Sequence, residues 1–146
     1  MKNQKLKPAH ILLVEDNEGD IILTQEAFEE CKVKTEISIA RNGKEALDFL
    51  FKRDGYENAK KPDLILLDIN LPIYSGHEVL EQIKLTPVLK KIPIIILTTS
   101  SSQGDINKAY DHHCNSYVSK PLEVEEFIQA ILKIEEFWLQ LTSLSE

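Results

Sequence analysis

Six residues with reactive or charged side chains stand directly behind short apolar runs. Glu15 and Asp16 follow ILLV, Asp68 follows LILL, Thr98 and Thr99 follow IIIL, and Lys120 follows YVS with Pro121 behind it. Three carboxylates drawn to one corner would repel and lift at least one pKa unless a cation or a lysine neutralised them. Oxygen donors without a paired His or Cys select a hard divalent ion, Mg²⁺ or Mn²⁺. Mg²⁺ keeps several waters and takes one or two carboxylates plus substrate phosphate. Singly, each acid reads equally well as a helix cap or a solvated strand end; the joint pattern favours a site. Asp68 is the candidate nucleophile, since a carboxylate can attack phosphorus when fixed positive groups offset the charge on the transferring oxygens. Thr98 could donate a hydroxyl to one such oxygen, and Lys120 could supply a point charge to another.

These residues meet only if the chain folds so that its strand ends share an edge. Apolar runs alternate with amphipathic stretches, the pattern of alternating strand and helix. Strands are expected at Ala9–Val14, Thr35–Ala40, Asp63–Asp68, Ile92–Thr98 and Asn115–Ser119. Three of them are continuous apolar runs instead of an in/out alternation, as strands buried on both faces should be. Helices are expected at Gly19–Glu30, Gly43–Phe51, Gly76–Lys84, Gln103–His112 and Glu123–Leu141, with Ile21, Ile22, Ala27 and Phe28 facing the sheet in the first. The result is an α/β domain with helices on both sides of a parallel sheet. In such a sheet ligands bind beyond the carboxyl ends of the strands, near the point where strand order reverses. Residues 1–146 read as one domain, with a core over 8–133 and a helical extension to 141.

The segments ILLVEDN, LILLDINLP, IIILTTS and YVSKP occur in an order and spacing that resemble the response-regulator receiver family across nearly the whole chain. That resemblance implies a flavodoxin-like (βα)5 doubly wound sheet of strand order 2-1-3-4-5. It implies that Asp68 is the phosphoacceptor. Asp16 and Asp68 would bind the metal directly, joined by the backbone carbonyl of Asn70, and Glu15 would act through a metal-bound water. Thr98 matches the hydroxyl switch residue, Tyr117 the aromatic switch residue and Lys120 the phosphate-contacting lysine. Thr99, bulkier than the Ala or Gly often found there, would narrow access to the phosphoryl group. The Lys120–Pro121 bond is expected to be cis. YENAKKPDLILLDINLP, PVLKKIPIIILTTS and IEEFWLQL are further similar to small regulators that serve cyanobacterial phytochrome histidine kinases. By that likeness the partners are a phytochrome-type histidine kinase and an unknown downstream protein, with no output domain and no enzyme activity beyond self-phosphorylation and slow self-dephosphorylation.

Composition narrows the partners. Hydrophobic residues at 42% and charged residues at 28% fit a soluble globular chain and exclude a disordered one. A net charge of -7 argues against nucleic acid, which would call for clustered Lys and Arg. The apolar runs are too short for a membrane span and no secretory signal is visible, so a cytoplasmic location is expected, with Cys31 and Cys114 as free thiols. His10, His77, His112 and His113 have no ligand-like spacing and read as surface or partly buried structural residues, although His77, at a helix start, could face a kinase. Tyr56 and Tyr74 read as contact residues in loops. On a wheel at 100° per residue the last helix turns Val124, Phe127, Ile131, Ile134, Trp138 and Leu141 to the sheet. Ile128, Leu132, Leu139 and a neighbouring Phe137 extend the apolar arc. The surplus either folds back on the chain's own core or forms a homodimer, and the homodimer is the expectation. A phosphohydrolase of the haloacid-dehalogenase type would need a second Asp where Asn70 stands, and a phosphate-binding loop would not begin with EDNEGD.

Overall fold

The computed structural model describes residues 8–141. Strands β1 (Ala9–Val14), β2 (Thr35–Ala40), β3 (Leu64–Leu67), β4 (Ile94–Thr98) and β5 (Ser116–Ser119) form one parallel sheet of order β2-β1-β3-β4-β5. Between and after them run α1 (Glu18–Glu29), α2 (Gly43–Phe51), α3 (Gly76–Lys84), α4 (Gln103–Asp111) and α5 (Val124–Glu135). The expected architecture and strand order are thus present. Strand ends move inward by one or two residues where the chemistry requires it. Pro93 has no N–H to give a ladder, so β4 starts at Ile94, whose amide is met by the Asn115 side chain at 2.8 Å.

Both faces of the sheet are dry. Leu12, Val14, Ile65, Leu67, Ile94 and Ile96 point to one core, which α2 and α3 cover with Ala46, Leu47, Leu50, Val79, Leu80 and Ile83. Ile11, Leu13, Leu64, Leu66, Ile95 and Leu97 point to the other, beneath Ile21, Ala27 and Phe28 of α1 and Phe127, Ile131 and Ile134 of α5. Alternate residues of one run serve opposite cores, which is why the sequence shows unbroken apolar stretches. Short polar caps fix where four helices begin, and with them the loops of the site. Asn17 accepts from the Asp20 amide, Asn42 from Glu45, and Ser102 from Asp105; Ser75 and Glu78 form a reciprocal capping box.

The C-terminal segment departs from a straight wheel. After Glu135 the helix widens into a π-helical stretch, Glu136–Leu141, whose i→i+5 hydrogen bonding rotates every later side chain relative to an α-helix. Phe127, Ile131 and Ile134 face the sheet as expected, but Val124 is 54% exposed and does not. Being the first residue of α5, it lies beyond the edge of the core. Ile22, expected on the buried stripe of α1, is also exposed, while its neighbour Ile21 is buried. Ile128, Trp138 and Leu139 are half-buried against the α1/α5 core, Leu132 is half-buried, and Phe137 is 53% exposed. Part of the surplus apolar arc is therefore covered within the chain. The Leu141 side chain falls outside the described residues.

No helix of the described residues is long and apolar enough to cross a membrane. His10 is buried between strands, its Nε2 2.8 Å from the Ser38 hydroxyl and its Nδ1 3.3 Å from the Lys61 carbonyl. Tyr56, expected as a loop contact, packs instead against the Phe49 ring at 5.6 Å. Tyr74 remains exposed in its loop. Cys31 and Cys114 are free thiols.

Candidate functional site

Strand order reverses between β1 and β3, so the loops leaving these two strands diverge over opposite faces and open a crevice at their carboxyl ends. β1 delivers Glu15 and Asp16 to this crevice and β3 delivers Asp68, whose amide still donates to the Val14 carbonyl at 3.1 Å. Each of the three acids offers an oxygen atom within 4.8 Å of the others. Glu15 and Asp68 are buried, and Asp16 faces solvent. β4 brings Thr98, fully buried, with Thr99 exposed behind it. β5 brings Lys120.

Lys120 is the hub. Its Nζ donates to Glu15 Oε1 at 2.6 Å, Asp20 Oδ2 at 2.8 Å and Asp68 Oδ2 at 3.2 Å, and its side chain is only 4% exposed. A buried ammonium can stand there because all three of its protons meet carboxylate oxygen. Burial by itself would lower the Lys120 pKa, but the hydrogen bonds it donates to Asp20 and Glu15 and the charge on Asp68 outweigh it and hold the ammonium well above its ordinary range. Glu15 shows the opposite balance. Burial, helped by the charge of Asp68, pushes its carboxyl up to about 7 despite the Lys120 contact. Three carboxylates share the one ammonium and Asp16 lies beside them, more acidic groups than one lysine neutralises.

The Lys120–Pro121 bond is trans, since no peptide bond among the described residues is cis. Trans is the lower-energy isomer of an X–Pro bond by about 0.5–1 kcal/mol. From it the ammonium already reaches all three acids.

Two close approaches fix the floor. A Cβ on Gly76 would sit 2.1 Å from the Asp68 carbonyl oxygen and 2.6 Å from Ile69 Cα, so only glycine lets α3 begin against the loop that carries Asp68. Gly76 N–H donates to the Ile69 carbonyl at 2.8 Å, and the Asn70 amide donates to Asp68 Oδ1 at 3.2 Å. Asn70 itself is exposed at the mouth of the crevice.

Behind the crevice, Thr98 Oγ1 lies 3.4 Å from the Ser100 amide, and the Tyr117 hydroxyl donates to the Ser100 carbonyl at 2.9 Å. The Tyr117 ring packs, half-buried, against the core beneath α2 and α3. Sequence reasoning missed Asp20, the third carboxylate on Lys120. It lies in the first turn of α1, four residues after Asp16, and its place in the acidic run EDNEGD was the available signal. It also missed Ser100 and Asp105, which no motif marks.

The donor set suits a hard divalent cation: clustered carboxylate oxygens, one solvent-facing, with no histidine or cysteine ligand in the cluster among the described residues. Asp16 and Asp68 would hold it, with Glu15 behind them. Bound there, it would neutralise charge on a phosphoryl group.

Comparison with known proteins gives a consistent answer. The family described as response regulator receiver domain matches residues 11–132. Response regulator Rcp1 of Synechocystis sp. is 40% identical over 144 residues, covering 99% of this chain and 98% of that protein. The probable methanogenesis regulatory protein FilR2 of Methanothrix harundinacea is 44% identical over 132 residues, covering 90% and 84%. Among solved structures, the phosphorylated cyanobacterial phytochrome response regulator RcpA superposes with a TM-score of 0.93 at 44% identity, covering 96% of this chain and all of that one. The Mn²⁺-bound form of Rcp1 does so with 0.92 at 41% identity, covering 95% and 100%.

Proposed function

This chain belongs to the response regulator receiver domain family, and on that premise we propose that Asp68 accepts a phosphoryl group from a phytochrome-type histidine kinase and that the phosphorylated chain signals in the cytoplasm through protein contacts. The observation that carries this reading is the buried Lys120 ammonium, shared by Asp68 and Glu15 at the mouth where Asp16 faces solvent. That corner can hold Mg²⁺ or Mn²⁺, and a lysine is already in place beside the attacking carboxylate.

Chemically, an Asp68 carboxylate oxygen attacks phosphorus, forming the O–P bond as the P–N bond to the donor histidine breaks and the imidazole leaves with the electron pair. Lys120 gives its Asp68 contact over to a phosphoryl oxygen. Thr98, buried at the end of β4, turns its hydroxyl to another, and Tyr117 occupies the space beside it, which shifts an existing equilibrium at the β4, α4 and β5 surface. Thr99, exposed at the entrance, contacts the group from outside. The likeness to RcpA, a cyanobacterial phytochrome response regulator, and to the Mn²⁺-bound form of Rcp1 supports the phytochrome assignment and the metal, and the downstream partner is a protein recognised through the switched surface.

The reading includes self-association through the C-terminal segment, with Ile128, Leu132, Phe137 and Leu139 as its residues. Phe137 and Val124, each more than half exposed, support it. Because Ile128 and Leu139 partly pack within the chain, the interface is smaller than the wheel implied and centres on Phe137. Sedimentation of the wild type and Phe137→Ser, with and without beryllofluoride, tests it; a monomeric wild type in both conditions refutes it.

The test of the main reading is incubation with acetyl phosphate and Mg²⁺, read by intact mass. A single phosphate adduct that requires the metal and vanishes in Asp68→Asn is expected; an adduct on that variant contradicts the assignment.

A further inference from the structure

His77 is the second residue of α3 and is buried to within 6% of its surface. Its Nε2 lies 3.0 Å from Asp105 Oδ1 on α4, and its Nδ1 is the one buried side-chain nitrogen or oxygen among the described residues without a hydrogen-bond partner. A phenylalanine or leucine would fill this space without sealing away a bare ring nitrogen, which carries a cost. What the imidazole contributes must therefore pass through Nε2–H to Asp105.

Asp105 passes it on. Its second oxygen, Oδ2, accepts from the Ser100 hydroxyl at 2.6 Å, and its amide is capped by Ser102. The hydrogen bonds from Ser100 and then His77 hold the Asp105 carboxyl below the usual carboxylate range, so it stays ionised and accepts strongly from both sides. Ser100 in turn is where both switch residues converge: its amide lies 3.4 Å from Thr98 Oγ1 and its carbonyl receives the Tyr117 hydroxyl.

We infer that His77, through Asp105, is a positioning residue that clamps Ser100 in place, which raises the share of molecules with Tyr117 inward before any phosphoryl group arrives and leaves the rest of the shift to phosphorylation. This rests on the assignment of Asp68 as phosphoacceptor and of Thr98 and Tyr117 as its switch. A state organised in advance raises apparent affinity for whatever stabilises it, because the binding-competent fraction divides the intrinsic dissociation constant. The clamp ties α3, α4 and the β4–α4 loop together by side chains alone, so its loss loosens the loop while the sheet remains.

The test uses beryllofluoride with Mg²⁺ as the phosphoryl probe on the full chain labelled with fluorotyrosine, the Tyr117 resonance being assigned from Tyr117→Phe. His77→Phe keeps the packing and removes the donor; His77→Gln keeps a donor near the Nε2 position. Ser100→Ala breaks the chain from a half-exposed site and covers the case in which the His77→Phe chain folds poorly. Expected are a probe affinity about tenfold weaker in His77→Phe and Ser100→Ala, within the usual coupling range, a displaced Tyr117 resonance in the free protein, and recovery of both in His77→Gln. Wild-type affinity and an unmoved resonance in Ser100→Ala overturn the clamp, as does a His77→Gln variant that behaves like His77→Phe. A wild type that does not bind the probe overturns the phosphoacceptor assignment instead, which keeps the two failures apart.

Discussion

Replacing Lys120 by methionine removes the charge and keeps most of the stem, so the loss reports the ammonium. Its three contacts, at 2.6, 2.8 and 3.2 Å, are all charge-assisted. Taken singly, at about 1.5–3 kcal/mol each, they would sum to about 4.5–9 kcal/mol, a large share of a domain's whole stability. Two facts reduce the figure. The Asp20 side chain is 25% exposed and keeps part of its hydration, so that bond contributes little, and bonds sharing one donor are not additive. What remains is a buried carboxylate pair left without its cation, which costs about 3–5 kcal/mol. Urea unfolding in EDTA measures it, at about pH 8, above the value of about 7 to which burial pushes Glu15 in the wild type. The variant loses the Lys120 contact that lowers that value, so proton uptake by Glu15 places the loss toward the lower end of the range. The variant should then gain more from added Mg²⁺ than the wild type does, because the divalent ion meets an unneutralised corner. A loss under about 1 kcal/mol, or an equal gain from Mg²⁺ in both proteins, would refute the view that this ammonium neutralises the acids.

Gly76→Ala should destabilise the fold by about 1–3 kcal/mol or more and slow phosphoryl acceptance, because its Cβ must push back the backbone of Asp68 and Ile69; urea midpoints and adduct formation rates measure the two effects. Thr98→Ala should still accept phosphate at Asp68 while its Tyr117 resonance no longer responds to beryllofluoride, and a wild-type response would remove Thr98 from the switch. Hydrogen bonds from Lys44 and then Arg53 lower the Asp48 carboxyl from its ordinary 3.8. A lowered acid contributes stability that is present above that value and lost as pH falls through the folded one. The stability gap between wild type and Asp48→Asn should therefore narrow as acid is added, and urea midpoints across the acid range read it; a gap that widens would reverse the sign.

Strand positions were legible because β1, β3 and β4 each serve two dry faces, which leaves an unbroken apolar run that chain chemistry seldom produces otherwise. The acids of the corner were legible because the ends of those runs must share an edge. The C-terminal helix was less so. A wheel at constant pitch has no way to show the change of hydrogen bonding after Glu135, and a first-turn residue such as Val124 has no core beneath it whatever its angle. The contacts of Asp20, Ser100, Asp105 and His77 were hidden for a different reason. Periodicity tells which face a residue lies on, whereas a hydrogen bond across 28 residues, as from His77 to Asp105, or across 100, as from Lys120 to Asp20, depends on how helices seat on the sheet. The partner of His10 was hidden in the same way: the residue reads as a surface or partly buried structural histidine, and its bond to Ser38 inside the sheet appears only in the fold.

The central claim is that one carboxylate, Asp68, carries the phosphoryl group, and chemical trapping tests it at the level of the residue. After treatment with acetyl phosphate and Mg²⁺, borohydride reduces an aspartyl phosphate to homoserine, which tandem mass spectrometry of peptides can place. The account predicts homoserine at position 68 and aspartate retained at positions 16 and 20; reduction at either of those, or an unreduced Asp68 in a protein whose intact mass shows the adduct, would contradict it.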